Sequence, residues 1–206
     1  MAGRKATVGR NVAKGSVDRY EGEVPGTVPT ALCQAAIAAM VICVCDLVVS
    51  PVYAAILVDA DGNVLMPVVP LAAMLALLGV AFVCTVGFVL LWVAGIVSAR
   101  MGRAGGTWLV YAAAGLIGFG VWGGLVVPSV LNSITAPYGG PAVAGGDLVA
   151  VVANAAAVGA VAFSLAAMFA DRIRARKGMV IALAAIALII AAFGAYVMVS
   201  VFGRLY

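Results

Sequence analysis

The chain has no histidine, and charged residues fill only 10% of its 206 positions. Without imidazole there is no His-based metal site, no haem held by histidine, and no Ser–His or Cys–His catalytic pair. Cysteine is scarce as well. Cys33, Cys43, Cys45 and Cys84 are the four present, and no CxxC occurs. All four lie in apolar stretches, where free Cys behaves as a small hydrophobe. Cys43 and Cys45 are two positions apart, so a helix would point them to different faces. Neither a disulfide framework nor a metal cluster is expected. The Walker, HExxH and GxSxG motifs are also missing. Gly118 and Gly120 supply a GxG, but it falls inside an apolar stretch with no strand–turn–helix unit before it. The reading is therefore no catalytic residue, no cofactor, no metal and no enzymatic activity.

Apolar surface is what the chain has in excess. Hydrophobic residues make up 66% of it, against roughly 45–50% in a soluble domain. No soluble fold of this size hides that much apolar surface. A net charge of +4 would suggest nucleic acid in a soluble protein. Here the cations flank apolar stretches, so membrane topology and anionic lipid headgroups account for them, and nucleic acid is not an expected partner.

Five apolar stretches alternate with short polar connections, which predicts an all-α, polytopic transmembrane helix bundle. Residues 1–29 read as a flexible basic cytoplasmic tail, closed by the helix-breaking run Val24-Pro25-Gly26-Thr27-Val28-Pro29. The tail is too polar and the following stretch too long for a cleavable signal peptide. Residues 30–206 form the membrane domain, with spans at about 30–57, 67–99, 107–131, 147–170 and 179–202. The second exceeds the ~20 residues needed to cross, so it should tilt or project beyond the bilayer, or hide a re-entrant piece. Trp108 and Tyr111 read as interfacial aromatics of the third span. Residues 132–146, rich in Gly and Pro, read as an external loop, and 171–178 as the most basic internal loop.

The basic residues orient the bundle. Arg4, Lys5, Arg10, Lys14, Arg19, Arg100, Arg103, Arg172, Arg174, Arg176 and Lys177 all fall on one side of a five-span topology, leaving only Arg204 on the other. Cytoplasmic loops carry this excess of Lys and Arg, so the N-terminus should be inside and the C-terminus outside.

Asp46 is the one charged residue deep within a span. It precedes Leu57 by eleven positions, or about 16 Å of helix, near the bilayer midplane. An ionised carboxylate there costs about 2.5–3.5 kcal/mol on insertion scales, so it should face protein or water, or be protonated. Ala35, Ala39, Ile42, Asp46, Ser50 and Tyr53 share one helical stripe. Pro51 cannot donate to the Leu47 carbonyl, which adds a second unpaired polar group nearby. Asn154 is the expected partner of Asp46. Together Asp46, Ser50, Tyr53, Asn132, Asp147 and Asn154 suggest a polar or ligand-binding patch that opens outward; the competing reading is a protonated Asp packed against a neighbouring helix.

Gly120 and Gly124 form a GxxxG in the third span, the spacing that lets helix backbones touch. Arg172, Arg174, Arg176 and Lys177 read first as an orientation signal and second as a contact for anionic lipid headgroups. The expected partners are the bilayer, anionic headgroups and other membrane protein subunits. The expected location is the cell membrane, multi-pass, with abundant Ala, Gly and Val fitting a GC-rich bacterium and its cytoplasmic membrane. The expected function is a non-catalytic accessory or interaction subunit of a membrane assembly. The alternative is a transporter component that binds a small solute in an outward-facing cavity around Asp46.

Overall fold

The computed structural model describes residues 28–101 and 106–205. Nearly all of the expected tail 1–29, and Arg103 of the short internal turn, lie outside the described residues. The described chain is helical apart from its connections and one isolated antiparallel bridge, Val58 to Val64. The helices are α1 (Val28–Ile56), α2 (Val68–Phe82), a π-helical turn (Val83–Gly87), α3 (Phe88–Arg100), α4 (Thr107–Thr135), a 3-10 turn (Ala136–Tyr138), α5 (Gly145–Arg174) and α6 (Lys177–Leu205). Five helical stretches are long and apolar enough to cross a membrane: Pro29–Ile56, Val68–Arg100, Thr107–Tyr138, Gly145–Arg174 and Lys177–Arg204. An apolar chain forms helices in lipid because every backbone polar group must find a partner within its own segment.

Several boundaries differ from expectation, each for a local reason. α1 starts two residues early and carries Pro29 in its first turn, where the missing N–H costs nothing. The long second span is one continuous helical rod with no re-entrant piece. It contains the π turn, within which Thr85 Oγ1 donates to the Ala81 carbonyl at 2.7 Å. The third span continues through Pro128 to Thr135, which shortens the expected external loop 132–146. Gly139, at φ 66°, ends the following 3-10 turn. The expected basic loop 171–178 is mostly helix. Arg172 and Arg174 sit in the last turn of α5, where cations complement the helix dipole, and Lys177 already opens α6. Only Ala175 and Arg176 link the two, with the Arg176 N–H on the Ile173 carbonyl at 2.8 Å.

α1 is the centre of the bundle. It packs against α5 on one side, α2 on another and α6 on a third. α4 packs along α5, α3 packs on α4, and α6 packs on α2. Backbones touch where side chains vanish. A Cβ on Gly115 of α4 would strike the Gly159 carbonyl of α5, and a Cβ on Gly159 would strike the Gly115 carbonyl. Gly194 of α6 meets the Ala73 carbonyl of α2 in the same way. Phe82 is fully buried where the π turn begins, against Phe119, Trp122 and Phe163, with ring centroids 5.0, 5.8 and 6.2 Å away. These tilted pairs tie α2, α4 and α5 together at mid-height. The outer faces are apolar too: Val48, Leu125, Ile189 and Val199 are all well exposed.

Between α1 and α2 the chain makes a tight hairpin built on Asp59. Its Oδ1 accepts from the Asp61 and Asn63 amides at 2.9 and 2.8 Å, and its Oδ2 accepts from Asn63 Nδ2 at 3.0 Å. These bonds, led by the Asn63 side chain, hold the Asp59 carboxyl below the usual carboxylate range. Gly62, at φ 85°, supplies the left-handed residue the turn requires.

Candidate functional site

The stripe of α1 that includes Ala39, Ile42, Asp46, Ser50 and Tyr53 is buried. It faces inward, but what surrounds Asp46 is packing. Asp46 is 5% exposed, and its Oδ2 is buried with no hydrogen-bond partner. Gly79 of α2 faces it, and its missing side chain makes room: a Cβ there would lie 3.2 Å from Asp46 Oδ2 and would also collide with Ile42. Ser50 has a local role. Its hydroxyl donates to the Leu47 carbonyl at 2.8 Å, the carbonyl that Pro51 leaves without a donor. Tyr53 is buried in an apolar cluster with Leu57, Met66, Leu71 and Met74 at that end of the bundle.

The remaining members of the expected patch each have their own surroundings. Asn132 Oδ1 accepts the Val143 N–H at 2.7 Å, fastening the connection after α4 back onto that helix. Asp147 is exposed in the first turn of α5, where a carboxylate complements the helix dipole. Asn154 is half-buried further along α5, and no hydrogen bond joins it to the orphaned Asp46 oxygen. Gly120 and Gly124 turn toward α5, where added Cβ atoms would meet Ala156 at 3.2 Å and Val152 at 2.9 Å.

A different polar centre lies at the opposite, basic end. Gln34 is 5% exposed on α1, and its Nε2 donates to the Tyr111 hydroxyl of α4 at 3.2 Å. Arg174 of α5 donates from Nη1 to Thr30 Oγ1 of α1 at 3.2 Å. Thr30, Gln34, Ser98, Tyr111, Asp171 and Arg174 line a cavity of about 180 Å³, with walls from α1, α3, α4 and α5. At about 30 Å³ per water, that space holds on the order of six waters or one small polar solute. Ser98 donates to the Gly95 carbonyl at 3.0 Å, so its oxygen is what remains for accepting. Tyr111, expected at the interface, instead points into the bundle at 5% exposure, while Trp108 stays on the surface.

The sequence did hold a signal for this centre. Gln34 is an amide only a few residues into an apolar helix, and such a group needs a partner on another helix. Gln34 carries no charge, and its partner Tyr111 reads as an interfacial aromatic, so the sequence alone does not single out the pair.

The four basic residues separate in space. Arg174 is half-buried and pinned by Thr30, whereas Arg172, Arg176 and Lys177 are exposed. The Arg172 guanidinium lies 6.0 Å from the Phe169 ring centroid. Arg174 and Lys177 also border a second and larger cavity of about 510 Å³, walled by Pro29, Leu32, Cys33, Val180 and Ile181. Among the described residues no group of three His, Cys, Asp or Glu side chains is placed to hold a metal ion.

Fold and site define an all-helical protein with five helices long and apolar enough to span a membrane. No protein-family model, curated protein or solved structure matches the chain.

Proposed function

We propose that the chain is a multi-pass protein of the cell membrane, with its basic end in the cytoplasm, that serves as a non-catalytic accessory subunit of a larger membrane assembly. The observation that carries this reading is α6. Only 17% of its most apolar 18-residue stretch is buried in the protein, against 50% for each of the first two spans. Ile181, Ile189, Phe193, Tyr196 and Val199 run along its open side. Large apolar faces rimmed by polar residues serve as contact surfaces for other proteins or for lipid. The polar groups of the interior support the same reading: Gln34 joins α1 to α4 and Asn132 fastens a connection, while Ser50 and Ser98 are engaged with carbonyls of their own helices.

The test is photo-crosslinking from residues 189 and 196 in native membranes, with residue 48 on the open side of α1 as the control position. A discrete protein adduct from the α6 positions alone is expected. Lipid adducts alone from all three positions would remove the accessory-subunit reading.

A second reading, a transporter component for a small solute, is favoured by one observation, the polar cavity around Gln34, Tyr111 and Arg174. On that reading the solute enters from the basic end, and Asp46 stays a packing residue. Uptake of small polar solutes into proteoliposomes, compared between the native chain and Gln34→Leu, tests it.

A further inference from the structure

The larger cavity at the basic end is built from three elements that meet where their apolar sequences stop. Pro29, Leu32 and Cys33 come from the first turns of α1, Arg174 from the last turn of α5, and Lys177, Val180 and Ile181 from the first turns of α6. One flank is open: Leu32 is 56% exposed and Ile181 69% exposed. Among the described residues the walls are largely aliphatic, and the charged residues that line them are two cations, Arg174 and Lys177. Lys177 is the first residue of the 29-residue helix α6, so the positive end of the helix dipole adds to the same spot. Arg174 is held there from the α1 side by Thr30 Oγ1 at 3.2 Å. Its neighbour Asp171 lines the smaller cavity and is absent from this one.

An aliphatic groove open on its flank, ending in an arginine, a lysine and a helix N-terminus, has the polarity of an anionic phospholipid. We propose that this groove binds one anionic phospholipid, with the phosphate between Arg174 and Lys177 and one acyl chain along Leu32, Val180 and Ile181. The inference rests on the membrane location proposed above and is independent of the accessory-subunit reading. Arg172 and Arg176 belong to the same basic run but do not border the groove, so they attract lipid only as diffuse surface charge. A free anion would need the two cations but gains nothing from the aliphatic flank, which is why the lipid is favoured.

The experiment reconstitutes the full chain in nanodiscs containing phosphatidylcholine with a minor fraction of phosphatidylglycerol. Native mass spectrometry after release then counts retained lipid. Arg174→Gln with Lys177→Gln is compared with Arg172→Gln with Arg176→Gln, which changes the net charge equally. The first pair should weaken phosphatidylglycerol retention about 30-fold, from roughly 5-fold per basic residue at a lipid surface. The second pair should leave one phosphatidylglycerol bound. Ile181→Trp, an exposed position whose change does not threaten the fold, should lower retention by filling the flank while leaving the charges intact. Equal loss from both charge pairs, or no loss from the first, overturns the proposal. Displacement by inorganic phosphate at constant ionic strength, with Ile181→Trp without effect, would assign the cations to a soluble anion instead. A chain that is recovered outside the membrane fraction overturns the membrane reading itself, whereas a membrane-bound chain without this lipid overturns only the groove.

Discussion

Gly115 of α4 and Gly159 of α5 are reciprocal: a Cβ added to either would run into the backbone carbonyl of the other. The contact leaves no flexible side chain to yield, so two helix backbones must separate to admit a methyl group. Gly115→Ala and Gly159→Ala should each cost about 1–3 kcal/mol, the usual range for overpacking. Gly178→Ala is the control, because an added Cβ there meets nothing within 4 Å. Thermal melting in detergent should show clear loss for the first two and none for the third. Equal behaviour of all three would refute the close approach.

Ser50 Oγ donates to the Leu47 carbonyl, the one that Pro51 cannot serve. Ser50→Ala should therefore lower stability by about 0.5–1.5 kcal/mol. In a Pro51→Ala background the residue-51 amide can serve Leu47, and the Ser50→Ala cost should shrink. A double-mutant cycle reads this coupling directly, and purely additive effects would show that Ser50 acts in some other way.

Asp46 and Gly79 give a third expectation. The buried Asp46 Oδ2 has no hydrogen-bond partner, so Asp46→Asn removes an ionisable group without breaking a bond to that oxygen. Membrane insertion should be unchanged and stability should stay within about 1 kcal/mol of the native chain. Gly79→Val should be far more harmful, since its side chain would enter the space of Ile42 and Asp46. Loss of folding in Asp46→Asn, measured by retention of helical signal and monodispersity, would contradict this.

The Asp59 hairpin predicts a pH response. The folded-state carboxyl is held below its ordinary range, chiefly by Asn63. A depressed pKa means the stabilisation is complete above the unfolded Asp value of about 3.9 and fades as pH falls through the lower folded value. The hairpin is exposed, so the response is local. Exchange protection of the Asn63 amide should fall in acid below about pH 4 in the native chain and change less in Asp59→Asn. Protection that is unaffected by acid would contradict the carboxylate's role.

Composition and run length alone determined the helical class and the five membrane-length spans, because apolar helices in lipid satisfy their own backbones and need no knowledge of their neighbours. Helix ends were legible only to within a few residues. Pro29 looks like a breaker in sequence yet sits inside a helix, and Arg172, Arg174 and Lys177 look like a loop yet lie in helix termini, the two arginines where the dipole favours their charge. The Leu47 carbonyl freed by Pro51 could be foreseen; that Ser50 would satisfy it could not. Which faces meet was decided by tertiary structure alone. Apolar helices carry little directional pattern, so partner choice falls to shape: Gly115 against Gly159, Gly194 against Ala73, Gly79 beneath Asp46. The same packing closed the space around Asp46, where a site was anticipated, and left room between Gln34, Tyr111 and Arg174. Those three residues are 77 and 63 positions apart in sequence, and only the packing that sets the starts of α1 and α4 beside the end of α5 brings them to one cavity.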